Sequence, residues 1–130
     1  ARYFNTFGGN AVAAATASAV LDVIDDEGLL ANARETGAYL TGGLRDLSSR
    51  HECLGTVRGA GLFVGADIVR DGAADAALAA RVVNDLRAAR VLISATGKAG
   101  NVLKIRPPLV FTREHADIFL DRLARVLSAL

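Results

Sequence analysis

Apolar residues recur along this chain at two different periods, and the switch between them divides it into elements. After Gly8-Gly9-Asn10, the run "AVAAATASAVLDVIDDEG" is rich in strong helix formers and closes at Gly28, with Asn10 placed to cap its start. Ala13, Ala14, Ala17, Val20, Leu21 and Ile24 lie at helical spacing within it. From Leu29 to Arg50, the positions Leu30, Ala33, Gly37, Leu40, Leu44 and Leu47 step by three and four, which predicts a second amphipathic helix. The period then shortens. Thr56–Arg58 and Leu62–Val69 read as strands joined at Gly59-Ala60-Gly61, and Asp71-Gly72 marks a turn.

Residues Ala73 to Arg90 predict a third helix, with Leu78, Val82 and Leu86 on one side. "VLIS" (Val91 to Ser94) predicts a short strand, followed by the loop "ATGKAGN". "VLKIR" (Val102 to Arg106) alternates as a strand does, and Pro107-Pro108 ends it because neither residue can donate to a ladder. Thr112 is placed to cap a last helix whose stripe is Ala116, Phe119, Leu123, Val126 and Leu130. This order predicts an α+β fold in which helices cover one face of a short, largely antiparallel sheet.

Composition narrows the picture. At 130 residues the chain fits one domain with a sizeable core, and its 52% apolar content is that of a globular protein. Aromatics make up 5% and alanine is abundant, so helices are expected to pack through small side chains, some of them against a partner. The net charge of +1, without a basic stripe interleaved with aromatics, argues against nucleic acid as a partner. No apolar run approaches the ~20 residues of a membrane span. The single cysteine, Cys53, rules out an internal disulfide and fits a reducing compartment, so a cytoplasmic protein is expected. The first residue is Ala1 and methionine is absent, which suggests a piece of a longer protein.

Two short motifs carry candidate chemistry. In "TFGGN", Gly8 and Gly9 let the backbone approach a ligand, the following helix presents unpaired N–H groups, and Thr6 adds a hydroxyl donor. A Gly-rich helix start capped by Asn10 explains the same residues without a ligand. In "KIRPP", Lys104 and Arg106 share one strand face, and an arginine fixed by two prolines suits bidentate capture of a carboxylate. A solvated charge at a strand end is the competing explanation.

"RGAGLFVG" has glycines at 59, 61 and 65, but a strand follows where a dinucleotide fingerprint needs a helix. His51 and His115 are expected to be exposed, and neither has a partner at metal-ligand spacing. Cys53 lacks an adjacent base and is expected to be a buried, inert thiol. Ser48-Ser49 reads as the polar end of a helix.

"YFNTFGGN", "AVLDVIDDEGLLANA", "VRGAGLFVGADIV" and "GNVLKIRPPLVFTREHADIFLDRL", in that order, resemble the C-terminal part of class III aminotransferases over essentially the whole chain. These are pyridoxal-phosphate enzymes of the aspartate-aminotransferase fold type. The branch most resembled contains alanine–glyoxylate-type transaminases and amino-alcohol-phosphate phospho-lyases.

The resemblance implies that Thr6 donates to the phosphate of the cofactor, pyridoxal 5'-phosphate, across a homodimer interface, with Gly8 and Gly9 in support. It implies that Arg106 binds the carboxylate of the amino substrate. It also divides the chain into an interface loop and linking helix from the large domain (1–28) and a C-terminal small domain (29–130).

Two departures accompany it. Ala11 stands where the family has proline, which should loosen the loop without removing the phosphate site. The family's Schiff-base lysine, cofactor-ring aspartate and stacking aromatic lie upstream of "TFGG". Lys98 and Lys104, the only lysines here, do not match that lysine. The 130 residues alone are therefore expected to be inactive, as part of an enzyme moving an amino group from an amino acid or amine to a keto acid or aldehyde. The alternatives are a phospho-lyase on the same cofactor and a stand-alone oligomerisation or binding module, which the coding sequence upstream of Ala1 would separate from an enzyme.

Overall fold

The computed structural model describes residues 4–130, so Tyr3 of the first motif and the start of the 1–28 unit lie outside the described residues. Helix α1 (Ala11–Asp26) is capped by Asn10, whose side chain accepts from the Ala13 N–H. Gly28 then turns the chain in the left-handed region (φ 60°), and α2 (Leu29–Ser48) follows at once. Strands β1 (Leu54–Ala60) and β2 (Phe63–Arg70) form an antiparallel hairpin closed at Ala60↔Phe63. The chain continues through a two-residue strand β3 (Ala73–Ala74), α3 (Ala76–Ala88), β4 (Ser94–Thr96), β5 (Val102–Ile105) and α4 (Arg113–Ser128).

The sheet order is β1-β2-β5-β4 with β3 beside β2, and every pairing is antiparallel. The α+β architecture expected from the sequence is thus present.

The strands bury one face only. Val64, Ala66 and Ile68 of β2, with Leu103 and Ile105 of β5, meet Leu40, Leu44 and Leu47 of α2, Leu78, Val82 and Leu86 of α3, and Phe119 and Leu123 of α4 in one core. On the opposite face Phe63 is exposed, and Arg58 pairs with Asp67 at 2.7 Å. Alternation with period two produces this division directly.

Several boundaries and stripe positions differ from the sequence-based expectation. Helix α2 starts at Leu29 as expected, but Leu29, not Leu30, is the buried residue there, because it lies four residues before Ala33 on the core-facing side. Helix α3 starts at Ala76 instead of Ala73: Asp71 and Gly72, both at positive φ, fold Ala73–Ala74 back onto Val69–Arg70. Val91–Ile93 lie outside the sheet, and the strand is Ser94–Thr96. The cause is the end of α3, where the Val91 N–H donates to the Leu86 carbonyl and the Arg90 N–H to that of Arg87, with Arg90 at φ 63°. This is a Schellman closure, which takes Val91 out of any ladder. In α4, Leu127 is buried while Leu130 is exposed, since the helix stops at Ser128.

The stripe expected on α1 has the predicted spacing but no core beneath it. None of its side chains is buried; Ile24 alone is half-buried, while Val20 and Leu21 are exposed. His51 is half-buried rather than exposed. Cys53 is half-buried against the core, and burial pushes its thiol up, consistent with an inert group. Ser48 does more than end a helix: its hydroxyl lies 2.8 Å from the Leu54 carbonyl and so ties α2 to β1.

Asp75 caps α3 by accepting from the Leu78 N–H at 2.8 Å and is also paired with Arg70 at 2.7 Å. The backbone hydrogen bond first, and Arg70 second, hold its carboxyl below the ordinary 3.8. A carboxylate with a depressed folded pKa adds stability above its unfolded value and loses it as pH falls through the folded one. Thermal melts should therefore show a midpoint that falls on acidification below about pH 4. An Asp75→Asn variant, which keeps a cap but no titrating group, should fall less steeply.

Candidate functional site

The two candidate motifs occupy separate places in the fold. Thr6, Gly8 and Gly9 lie on the exposed loop that leads into α1. The Asn5 side chain organises this loop, accepting from the N–H groups of Phe7 at 3.2 Å and Gly8 at 3.0 Å. Asn10 closes it from the other end, its amide donating to the Phe7 carbonyl at 2.7 Å. A Cβ at Gly8 would overlap the Asn5 amide and come within 2.9 Å of its Cγ, whereas nothing lies within 4 Å of a Cβ at Gly9. The absence of a side chain at residue 8 thus serves the chain's own turn, and at residue 9 it leaves open space.

Thr6 makes no hydrogen bond among the described residues, so its hydroxyl is available to a ligand. A neutral hydroxyl beside an open glycine backbone is the donor set a phosphate group takes, and these residues fit that role.

Arg106 is the first residue beyond the β5 ladder, whose last pair is Val64↔Ile105. It is exposed and lines a cleft of about 530 Å³ between the end of β5, the segment after α3, and α4. Lys104, His115 and Arg122 line the same cleft, with Phe111, Ile118 and Phe119 as apolar wall. No carboxylate lines it, and among the described residues neither Arg106 nor Lys104 enters an ion pair. Arg122 is held by its own bond to the Arg90 carbonyl, at 3.1 Å. An uncompensated cationic cleft with a partly apolar wall suits an organic anion. None of Thr6, Gly8 and Gly9 lines it.

The loop 106–112 joins Arg106 to α4 and is fixed at its far end by a reciprocal cap. The Thr112 N–H donates to His115 Nδ1 at 3.2 Å, and the His115 N–H to the Thr112 hydroxyl at 3.4 Å. With Nδ1 accepting, the neutral ring carries its proton on Nε2. Arg106 and Lys104 are legible from their shared strand face; His115 and Arg122 are not, because only the folded chain brings α4 to the cleft at the end of β5. Lys98 stands exposed on the loop between β4 and β5 and does not line the cleft.

Comparison with known proteins gives a consistent picture. Residues 2–127 match the family model described as aminotransferase class-III. The chain is 46% identical over 132 residues to an alanine–glyoxylate aminotransferase 2-like protein of Drosophila melanogaster, covering 98% of this chain and 27% of that protein. It is 41% identical to an ethanolamine-phosphate phospho-lyase homolog of Caenorhabditis elegans, over 98% of this chain and 28% of that protein. Among solved structures, a phospholyase from Arthrobacter in complex with phosphoethanolamine superposes with a TM-score of 0.94 at 45% identity, covering 98% of this chain and 31% of the other. A Bacillus anthracis aminotransferase superposes at 0.88 with 30% identity, over 100% of this chain and 31% of that one. The chain therefore spans less than a third of the length of the relatives it matches. Among the described residues, no helix is long and apolar enough to cross a membrane.

Proposed function

The chain belongs to the class-III aminotransferases, a pyridoxal-phosphate-dependent family, and from that membership we propose that it forms the C-terminal portion of an enzyme moving an amino group from an amino acid or amine to a keto acid or aldehyde. In this reading residues 1–28 are the interface loop and linking helix and residues 29–130 the small domain. The enzyme is a homodimer or higher homo-oligomer in the cytoplasm. The observation that carries the reading is Arg106, exposed in a cleft without a carboxylate at the end of β5.

Pyridoxal phosphate, when bound, supplies an electron sink for bond breaking at the substrate's amino-bearing carbon. This chain's own part is recognition. Thr6 donates its hydroxyl hydrogen to a phosphate oxygen of the cofactor in the neighbouring subunit, with Gly8 and Gly9 permitting close approach. Arg106 pairs through two N–H groups with the substrate carboxylate. Phe111 and Phe119 supply apolar wall beside it, which reduces competition from water. Neither lysine here serves as the covalent attachment point, so the 130 residues by themselves are inactive.

Thr6→Ala in the full-length protein should weaken cofactor retention by roughly 10–100-fold, the equivalent of one hydrogen bond to a charged group. Dialysis followed by the absorbance of retained cofactor measures this, and retention equal to wild type would remove Thr6 from the phosphate site.

A second reading, elimination of phosphate from an amino-alcohol phosphate, is favoured by the 45% identity to the Arthrobacter phospholyase and by the additional cations Lys104 and Arg122 beside Arg106. Offering the full-length protein an amino acid with a keto acid, and separately phosphoethanolamine, distinguishes the two. Keto-acid exchange without phosphate release supports transamination, and phosphate release without exchange supports elimination. Neither activity would overturn both.

A further inference from the structure

We infer that Asn32 is a positioning residue that fixes the loop carrying Arg106. The inference rests on the reading of Arg106 as a carboxylate ligand. Strand pairing positions β5 only as far as Ile105, so the ladder leaves the backbone at Arg106 unconstrained on its C-terminal side. The next two residues, Pro107 and Pro108, have fixed φ but no N–H, and cannot tie the loop down through donors of their own. The Phe111 N–H folds back onto the Pro108 carbonyl at 3.0 Å, making residues 108–111 a compact turn. What such a turn offers to the rest of the fold is carbonyl oxygens.

Asn32, at the end of the first turn of α2, takes two of them. Its Nδ2 donates to the Leu109 carbonyl at 2.7 Å and to the Phe111 carbonyl at 3.0 Å, using both amide hydrogens. Its Oδ1 accepts from the Thr36 hydroxyl at 3.0 Å, one helical turn further on. Thr36 is only 3% exposed, so its hydroxyl is held in place by burial. Two carbonyls can only accept and the hydroxyl donates to the remaining atom, which leaves one orientation for the amide. The clamp therefore runs from buried Thr36 through Asn32 to the turn, and the turn passes its position to Arg106 through two stiff prolines.

No other residue type reproduces this. Aspartate has nearly the same shape, but it would set a carboxylate against two carbonyls and remove both donors. A clamp that acts through Arg106 makes specific demands on kinetics. Asn32→Ala and Asn32→Asp in the full-length protein should each raise KM for a carboxylate-bearing amino substrate by about tenfold. KM for an amine without a carboxylate should change by less than about twofold, with cofactor content unchanged. Thr36→Val, nearly isosteric and without the hydroxyl, should give a smaller rise of about threefold with the same selectivity. In an Arg106→Ala background, Asn32→Ala should add less than about twofold, because the group it positions is gone.

Wild-type behaviour of Asn32→Asp, or equal losses for both substrate kinds, would overturn the clamp. So would a full additive loss in the Arg106→Ala background. If Arg106→Ala is itself unselective, the reading of Arg106 falls and the clamp with it. If Arg106→Ala is selective and the Asn32 and Thr36 variants are not, the clamp alone falls. Should the Asn32 variants fail to fold, Thr36→Val decides the matter by the same ratio.

Discussion

Arg106→Ala in the full-length protein should raise KM for carboxylate-bearing substrates by ~10–100-fold, the loss of a charge-assisted pair of about 1.5–3 kcal/mol. Amines without a carboxylate should be nearly unaffected. Selectivity, more than size, is the diagnostic feature. Among the described residues Arg106 has no ion-pair partner, so truncation leaves no carboxylate of this chain newly unpaired. The loss therefore measures the contact with the ligand instead of damage to the fold. Arg106→Lys should fall between the two, because a point charge keeps the attraction but forfeits the two-pronged geometry. Steady-state kinetics with a matched pair of substrates, one with and one without a carboxylate, provide the test. Parallel losses on both would remove Arg106 from carboxylate recognition.

Gly37→Ala should destabilise the protein, whereas Gly42→Ala, in the same helix, should stabilise it. Alanine gains roughly 0.5–1 kcal/mol over glycine inside a helix, and Gly42 receives that gain without penalty, since nothing lies within 4 Å of its added Cβ. At Gly37 the same Cβ would overlap the Gly61 carbonyl and come within 2.8 Å of the Gly61 Cα. Those are backbone atoms in a turn held at φ 53° between the paired residues Ala60 and Phe63, so they cannot give way as a side chain would. Overpacking of this kind costs about 1–3 kcal/mol and outweighs the helical gain. Gly43 is a control of intermediate kind: its Cβ would meet the end of the Leu120 side chain, which can move. Urea midpoints should rank Gly42→Ala above wild type and Gly37→Ala below it, with Gly43→Ala between them. A Gly37→Ala midpoint at or above wild type would mean that the α2–hairpin contact tolerates separation.

The contrast between these glycines indicates what the sequence can and cannot disclose. Leu40, Leu44 and Leu47 are legible as a buried stripe because helical periodicity is local, and Leu103 and Ile105 because strand alternation is. The end of β5 is legible too, since Pro107 cannot donate to a ladder. Gly37 and Gly42 look alike in a string of letters; only the arrival of the hairpin turn from elsewhere in the chain separates them. Asn32 is hidden for the same reason, its carbonyl partners lying 77 and 79 residues away. Strand β3 consists of Ala73 and Ala74, which carry no strand preference, and is imposed by the turn before it. The apolar stripe of α1 shows a further limit: periodicity reveals which side of a helix is oily but not what lies against it. In the candidate site, Thr6 and Arg106 stand out as candidate anion ligands from local chemistry, whereas the cationic cleft around Arg106 draws on three segments that only the fold brings together.

The position of β2 in the middle of the sheet imposes an order of assembly. Its pairing with β1 needs only the closure of a tight turn, so this hairpin can form early, with α2 alongside. Its pairing with β5 must wait until α3 and β4 have been laid down between them, a longer loop with a larger closure entropy. The strand that leads into Arg106 is thus among the last to lock and the first to release. Weakening its anchorage should accelerate unfolding while leaving the folding rate almost untouched, so the part of the chain proposed to meet the substrate governs how long the native state survives.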